Sequence, residues 1–282
     1  MPKKTTTAAR VRNALVVTGV VLLLLIEAYP ILWMVLSAFK TQSEFAVNPS
    51  YALPEGLYYQ NFIDAWTTGK MGIFFFNSTV VTLVSLVLIV VLSTTASFAI
   101  VKMKWRLKGA VSMLFNAGIM VPVAIVLIPL FSMYKGLGML NTYWSLIFTY
   151  TGFGLSLSIY LIAAYMQSLP DELLEAGVID GCTIFGIFSR IVVPLTMNAI
   201  VTVLVIQFFF RWNDMIFSMT FISRTAMKTV QTGLMYFSNE WGSRNWGAIF
   251  AAITMSVLPT LGLYSFLNKL VIDGMTAGAV KG

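Results

Sequence analysis

The chain has 282 residues, of which 58% are apolar and only 10% are charged, and its formal net charge is +7. A soluble domain of this length carries about a quarter charged residues, so the composition indicates a polytopic membrane protein. The chain has no histidine and a single cysteine, Cys182, which excludes imidazole catalysis, an internal disulfide and the usual zinc sites, so we expect no metal site.

Six apolar runs are each long enough to cross a bilayer as a helix. Because backbone in lipid must satisfy its own hydrogen bonds, and the runs are too uniformly apolar for barrel strands, we expect an all-α integral membrane protein. A basic segment, 1–14, precedes the six-helix domain, 15–268, and a tail, 269–282, follows it. The predicted spans are Leu15–Phe39, Asn77–Val101, Ala110–Tyr134, Thr142–Met166, Leu195–Met219 and Trp246–Leu267.

Lysine and arginine are distributed unevenly between the loops. Placing the N-terminus in the cytoplasm puts eleven of these residues inside and six outside, with Arg211 within a span. The tight cluster Lys102–Lys108 contributes four of the eleven and strengthens this orientation. We therefore expect both termini in the cytoplasm, together with the loop 168–194. The loops Lys40–Phe75 and Thr220–Asn245 then lie outside, and we expect the first to be ordered and the second partly structured.

Polar side chains within the predicted spans are candidates for a substrate pathway. Glu27 in the first span is either hydrogen-bonded between helices or part of that pathway. Arg211 and Asp214 are three residues apart in the fifth span, where they either form an ion pair or, with Trp212 and Asn213, a polar and aromatic wall. Three prolines, which remove backbone hydrogen bonds, are expected to kink the third and sixth spans: Pro122, Pro129 and Pro259.

The segment Ser168–Pro194 lies between two predicted spans and holds four of the eleven carboxylates of the chain, Asp171, Glu172, Glu175 and Asp180. Ser168 and Asp171 have the spacing of a capping box for a first helix, and Gly181 allows that helix to stop and turn. Apolar and acidic side chains fall on opposite sides of this helix. A second helix is expected over Ile184–Val193, ending before Pro194. Such a segment is costly to bury in lipid, so we expect it in water, in contact with a partner.

No phosphate-binding loop occurs, since the one Gly-Lys pair, Gly69-Lys70, is followed by Met71. If ATP drives this protein, another chain binds the nucleotide and its magnesium. We therefore expect neither an enzyme nor a cofactor on this chain.

The stretch Glu175-Ala-Gly-Val-Ile-Asp-Gly-Cys182, followed by Ile191-Val-Val-Pro194, resembles the signature loop of ATP-binding-cassette (ABC) importer permeases. In that family the loop is a coupling helix that docks on a cytoplasmic ATPase. Gly177, Cys182 and Val193 depart from the family pattern by small or apolar exchanges. The resemblance implies the following coupling residues: Glu172, Leu174, Glu175, Ala176, Gly177, Val178, Asp180, Gly181, Ile191 and Pro194.

Further segments resemble the maltose-type carbohydrate permeases. They include Pro30-x-x-Trp33, Phe76-Asn77-Ser78, Trp212-Asn213-Asp214 and Leu258-Pro259. The C-terminal Asp273–Gly282 resembles the tail of the one permease subunit that reaches between the two ATPases. By this resemblance, Thr276, Ala277 and Gly278 contact the ATPase.

The resemblance implies a six-helix permease with the type I ABC importer fold in a prokaryotic cell membrane. Its implied partners are a second permease subunit, two ATPase subunits, an extracytoplasmic sugar-binding protein, membrane lipid and a sugar, with no nucleic acid. A polyol or a glycerol phosphate is the closest alternative substrate. A stand-alone secondary transporter or channel is the rival class, but no internal repeat supports it. A membrane enzyme is disfavoured because a catalytic pair is hard to assemble without histidine.

Overall fold

The structure is a computed structural model that describes the backbone of residues 7–240 and 245–279, and the side chains of residues 13–235 and 245–266. Across these ranges the regular structure is helical, which confirms the all-α prediction. The helices are α1 (Thr7–Ser37), α2 (Gln42–Val47), α3 (Gln60–Trp66), α4 (Met71–Lys102), α5 (Lys108–Ile119), α6 (Val123–Gly136), α7 (Tyr143–Gln167), α8 (Glu172–Ile179), α9 (Ile184–Ile187), a π-helical turn (Phe188–Val192), α10 (Val193–Leu195), α11 (Met197–Trp212), α12 (Ile216–Phe221), a 3₁₀ turn (Thr225–Met227), α13 (Val230–Glu240) and α14 (Trp246–Ala279).

Among the described residues, four helices are long and apolar enough to cross a membrane, and the number rises to six if each of two bent helix pairs is one span. The four continuous spans are Asn13–Ser37, Met71–Lys102, Tyr143–Gln167 and Trp246–Phe266. These four agree with the runs predicted from the sequence.

The third predicted span, Ala110–Tyr134, is not a continuous helix. It is divided into α5 and α6, whose axes differ by 103° across the break at Met120–Pro122. Pro122 has an extended backbone (φ −67°, ψ 134°), and a proline disfavours helical geometry in the residue before it. The kink expected at Pro122 is therefore a complete break, whereas α6 continues through Pro129 and α14 through Pro259.

The fifth predicted span, Leu195–Met219, is also wrong in its bounds. The helical segment Ile184–Leu195 meets α11 at 71°, and α11 ends at Trp212. At the bend, the Val192 carbonyl accepts both the Thr196 N–H (2.9 Å) and the buried Thr196 hydroxyl (2.8 Å), and such a back-bonding threonine often bends a helix. The polar residues after Trp212 belong to a separate short helix, α12.

The chain forms two compact units, residues 1–69 with 237–255 and residues 70–236 with 256–282. In the first unit, the ordered loop expected after the first span is confirmed. Asn61 Nδ2 donates to the carbonyls of Ala38 and Lys40, each over 2.8 Å. The buried Glu44 carboxylate accepts the Thr41 N–H (2.6 Å), and Thr41 Oγ1 accepts the Glu44 N–H (3.3 Å), which together form a capping box on α2. The same carboxylate also accepts the Glu55 N–H (2.7 Å).

In the second unit, α4 packs along α7, and α11 packs on both of them. Polar side chains join the three helices within this interior: Ser97 Oγ donates to the Ile159 carbonyl, and Gln207 Nε2 donates to the Gly154 carbonyl and to Ser158 Oγ. Small and polar residues at such contacts are typical of helix association in lipid.

The segment after α12 is held by asparagines on two other elements of the same unit. Asn77 on α4 donates from Nδ2 to the carbonyls of Ala226 and Lys228. Asn141 has a left-handed backbone (φ 57°), and its Oδ1 accepts the N–H groups of Ser223 and Arg224. The expected partial order of the loop Thr220–Asn245 is therefore confirmed for its described residues.

Candidate functional site

The first helix of the signature loop, α8, ends as the sequence predicts. Gly181 has a φ of 77°, a conformation that a side chain would strain. The Gly181 N–H donates to the Val178 carbonyl, and the Cys182 N–H donates to the Gly177 carbonyl. These two bonds form a Schellman motif, which turns the chain sharply towards α9.

The predicted start of α8 is wrong. Ser168 closes the end of α7, where its Oγ donates to the Tyr165 carbonyl, and it does not cap α8. Asp171 occupies the N-terminal cap position of α8 without a side-chain cap bond, because its carboxylate instead accepts Lys102 Nζ over 2.6 Å. This bond lowers the pKa of Asp171 below its ordinary value.

The second helix does not end before Pro194 but continues through it to Leu195. Between α9 and α10, the residues Phe188–Val192 form a π-helical turn in which the Val193 N–H donates to the Phe188 carbonyl. A proline ring clashes with the carbonyl four residues earlier in an α-helix, and the wider π turn leaves room for it. Helical structure therefore passes Pro194 and ends at the bend at Thr196.

One side of the loop packs inward, and it includes three of the ten predicted coupling residues. Gly177 is buried against Ile191, and Leu174 and Ile191 are partly buried against a core with Ile187 and Val192. These three residues fix α8 to the second helix, and the side chains of Leu174 and Ile191 do not face outward.

The opposite side of the loop is exposed and mixes acidic with apolar side chains. The exposed fraction reaches 85% for Ile179 and 80% for Phe185. Large apolar side chains with this exposure on a charged segment between two spans are typical of a protein contact. We call this set the coupling surface; its members are Glu172, Leu173, Glu175, Ala176, Val178, Ile179, Asp180 and Phe185.

The ion pair considered for Arg211 and Asp214 is not formed, although both side chains are described. Arg211 is buried and donates from Nη2 to Gln207 Oε1 over 2.8 Å, with its guanidinium above the Tyr150 ring. Asp214 accepts the Tyr150 hydroxyl (2.7 Å) and the N–H groups of Phe217 and Ser218. The carboxylate thus caps α12, and Tyr150 lies between the two charged groups.

Trp212 and Asn213 differ in their access to solvent. Trp212 is only 3% exposed, stacks on Phe208 and donates from Nε1 to the Ser256 carbonyl over 3.0 Å. Its ring is therefore a packing element and offers no free face to a sugar. Asn213 is exposed at the end of α11, where its Oδ1 accepts Gln231 Nε2 over 3.2 Å.

Three residues of this region were not identified from the sequence: Tyr150, Gln207 and Gln231. Tyr150 and Gln207 lie on apolar helical runs that carry no motif, so no sequence signal marks them. Gln231 follows the predicted fifth span in a Gln-Thr-Gly-Leu stretch, and its pairing with Asn213 depends on the turn after α11.

The remaining predicted residues lie apart from these groups. Glu27 is exposed on α1, in the span Asn13–Ser37, which the described residues do not bury. Thr276, Ala277 and Gly278 lie on the backbone of α14, and their side chains are outside the described residues.

The fold and this loop define a permease-type integral membrane protein, and comparison with known proteins gives its family. A family model described as "Binding-protein-dependent transport system inner membrane component" matches residues 89–276. The match covers the coupling surface and all of α11. The chain belongs to this family, within the sugar ABC transporter permeases of the maltose and oligosaccharide type.

Individual relatives agree with this assignment. The chain is 35% identical to the probable ABC transporter permease protein YurM of Bacillus subtilis, over 93% of this chain and 86% of the relative. It is 28% identical to the melibiose/raffinose/stachyose import permease protein MelC of the same organism, over 98% of this chain and 99% of the relative. It is also 28% identical to the sulfoquinovosyl glycerol transport system permease protein SmoH of Agrobacterium fabrum, over 93% of this chain and 91% of the relative.

A solved structure shares the fold. The crystal structure of a bacterial ABC transporter involved in the import of the acidic polysaccharide alginate matches with a TM-score of 0.84, over 94% of this chain and 98% of that chain. The sequence identity is 17%, so this likeness concerns the fold. The predicted ABC importer permease fold is confirmed.

Proposed function

We propose that the chain is one permease subunit of an ATP-driven importer of a sugar or oligosaccharide. It pairs with a second permease subunit, and this pair binds two ATPase subunits on the cytoplasmic side and a sugar-binding protein on the other side. Both termini lie in the cytoplasm. The observation that carries the proposal is the coupling surface, which presents apolar side chains on a charged segment between two spans.

The coupling surface has the chemistry of a helix that docks in a groove of a soluble partner. Ile179 and Phe185 offer apolar anchors, and Glu175 and Asp180 offer charges at the rim. Apolar side chains in such a contact supply most of the affinity, whereas exposed charges at its edge mainly set orientation.

ATP and magnesium bind to the partner ATPases, because this sequence contains no phosphate-binding loop. When the ATPases close around ATP, they displace α8, and the helix bundle changes from inward-open to outward-open. The packing of Leu174, Gly177 and Ile191 makes α8 and the second helix move as one body. The tail residues Thr276, Ala277 and Gly278 form a second ATPase contact, and deletion of 276–282 lowers ATPase assembly or turnover.

The substrate is a sugar or oligosaccharide, and a polyol or glycerol phosphate is the second candidate. The relatives named above include permeases for melibiose, raffinose and stachyose and for sulfoquinovosyl glycerol. On this chain, Asn213 and Gln231 supply exposed or partly exposed amide groups that could bind sugar hydroxyls.

The test is purification of the tagged chain from its native membrane in mild detergent, with identification of every co-purifying protein by mass spectrometry. The expected partners are a second permease, an ATPase with a phosphate-binding loop and an extracytoplasmic binding protein. Thermal-shift measurements of that binding protein with maltose, raffinose, cellobiose, sorbitol and glycerol 3-phosphate then separate the two substrate classes.

A pair of variants tests the coupling surface itself. Phe185→Asp introduces a charge at an apolar side chain that is 80% exposed, and the matched control Val47→Asp does so at one that is 82% exposed outside the spans. We expect Phe185→Asp to lose the ATPase from the purified complex and Val47→Asp to retain it. Retention of ATPase by both variants would overturn the docking role of this surface.

A further inference from the structure

Lys102, the last residue of α4, points its ammonium group into the protein. Its side chain is only 5% exposed, and Nζ donates to Asp171 Oδ1 over 2.6 Å and to the Leu169 carbonyl over 2.7 Å. A lysine at the inner end of a span ordinarily extends its ammonium group to water and lipid headgroups. Lys104, Arg106 and Lys108, which follow it, are exposed in that manner. Lys102 therefore does more than supply positive charge at the membrane surface.

The two acceptors of Lys102 lie at the start of the coupling loop. Leu169 follows the end of α7, and Asp171 is the cap residue of α8. The Asp171 carbonyl accepts the N–H groups of Leu174 and Glu175, in the first turn of α8. A charge-assisted bond at this place fixes the first turn of α8 relative to α4. Both contacts are distant in sequence, because Leu169 follows Lys102 by 67 positions and Asp171 follows it by 69.

Apolar packing continues the same contact. Phe98, one turn before Lys102, lies with its ring centroid 5.2 Å from that of Phe188 in the π-helical turn. Val101 belongs to the same core as Leu169 and Leu174. Both helices of the coupling loop are therefore attached to the end of α4, in addition to α7 and α11, which flank the loop in the sequence.

We infer that Lys102 is a positioning residue that attaches the coupling surface to α4, so that displacement of α8 by the ATPase moves α4 directly. This inference rests on the proposed function. Because α4 packs along α7 and contacts α11, a movement of its inner end reaches all three helices of the interior. The two Lys102 bonds form a polar anchor between α4 and the coupling loop. This anchor matters because apolar packing alone lets α8 slide along α4, whereas the bonds to Leu169 and Asp171 hold α8 in one position.

The experiment uses the complete complex purified with its partner subunits. The variants are Lys102→Met, which removes both bonds, Asp171→Asn, which removes the charge pair, and Lys102→Arg, which keeps the charge. Lys108→Met is the matched control, because it removes the same charge from an exposed lysine. Hydrogen–deuterium exchange of peptides covering 169–182 measures how firmly the coupling loop is attached to α4. MgATP hydrolysis with and without the co-purifying binding protein measures coupling between the permease and the ATPase.

We expect faster exchange in 169–182 for Lys102→Met, a smaller increase for Asp171→Asn, and wild-type exchange for Lys102→Arg and Lys108→Met. Stimulation of kcat by the binding protein should fall by roughly 2- to 30-fold in Lys102→Met, the range typical of residues that transmit coupling, with an unchanged KM for MgATP. A merely structural defect would instead reduce the amount of assembled complex without lowering this ratio.

Two outcomes overturn the inference. Unchanged exchange in Lys102→Met excludes the anchor, and faster exchange with unchanged stimulation excludes its role in coupling. Failure of the proposed function is visible separately, because the wild-type complex would then contain no ATPase or show no stimulation.

Discussion

Gly177 lies so close to Ile191 that a Cβ at position 177 would stand 2.7 Å from Ile191 Cδ1. This contact joins the two helices of the coupling loop, and it explains a departure from the family pattern that the sequence alone leaves open. The atom in the way is the far end of a flexible side chain, so a methyl group can be accommodated by a small rotation of Ile191, but a larger group cannot.

We therefore predict that Gly177→Ala retains transport and that Gly177→Phe separates α8 from the second helix. Overpacking of a filled core costs about 1–3 kcal/mol, which is enough to displace a short helix. Sugar uptake in whole cells, normalised to the amount of assembled complex, measures the effect. Gly186→Phe is the control, because a Cβ there would be no nearer than 3.6 Å to its neighbours. Equal uptake by Gly177→Phe and the control would contradict the prediction.

Gly181 gives a second prediction that depends on backbone conformation alone. No atom lies within 4 Å of a Cβ built at this position, but its φ is 77°. A β-branched residue is strained there by about 1–2 kcal/mol, whereas asparagine tolerates left-handed geometry. Gly181→Val should therefore lower the ratio of uptake to ATP hydrolysis, and Gly181→Asn should preserve it. If both variants lowered this ratio equally, a side-chain contact at 181 and not the turn would be responsible.

The sequence predicts well the features that depend on local patterns: four continuous spans, the turn at Gly181 and the helical coupling loop. Prediction from the sequence fails where a residue that is distant in the sequence replaces a local one as the hydrogen-bond partner. The Ser168–Asp171 spacing satisfies the capping-box pattern, but Lys102, far away in the sequence, provides a charged partner for Asp171. The break at Pro122 falls within an apolar run and the break at Thr196 at the start of another, and hydropathy does not distinguish a bent helix pair from a straight helix.

Glu44 leads to a prediction about pH. Hydrogen bonds from the Glu55 and Thr41 N–H groups lower the pKa of this buried carboxyl below its ordinary value of 4.5. A depressed folded-state pKa stabilises the fold above the unfolded-state pKa, and this contribution is lost as the pH falls through the folded-state pKa. Glu44→Gln should therefore lower the Tm by about 2–4 °C at pH 7, with a difference from wild type that shrinks below about pH 4.5.

Differential scanning fluorimetry of the purified complex between pH 3.5 and 7.5 measures this difference. Glu55→Gln is the matched control, because the Glu55 side chain is exposed and the substitution keeps the backbone N–H that donates to Glu44. A Tm difference for Glu44→Gln that is constant across this pH range would show that the charge of Glu44 does not stabilise the loop.

Asn213 and Trp212 allow transport and packing to be separated at neighbouring positions. If Asn213 binds a sugar hydroxyl, Asn213→Ala should raise the KM for uptake by about 2- to 12-fold, the loss expected for one neutral hydrogen bond, without lowering the Tm of the complex. Trp212→Phe should lower the Tm, because it removes a buried bond to the Ser256 carbonyl, and should change the KM little. Radiolabelled sugar uptake and scanning fluorimetry measure the two effects. An unchanged KM in Asn213→Ala would exclude Asn213 from the pathway.

The single cysteine makes the proposed orientation directly testable. In a Cys182→Ser background, Phe185→Cys and Val47→Cys each introduce one thiol at a position that is at least 80% exposed, on segments that the orientation places on opposite sides of the membrane. In cells that lack the partner ATPase, a membrane-impermeant maleimide applied to intact spheroplasts should label residue 47 and not residue 185, and inside-out vesicles from the same cells should show the reverse. Permeabilised membranes provide the control that both thiols react. Labelling of residue 185 in intact spheroplasts would place the coupling surface outside the cell, beyond the reach of any ATPase.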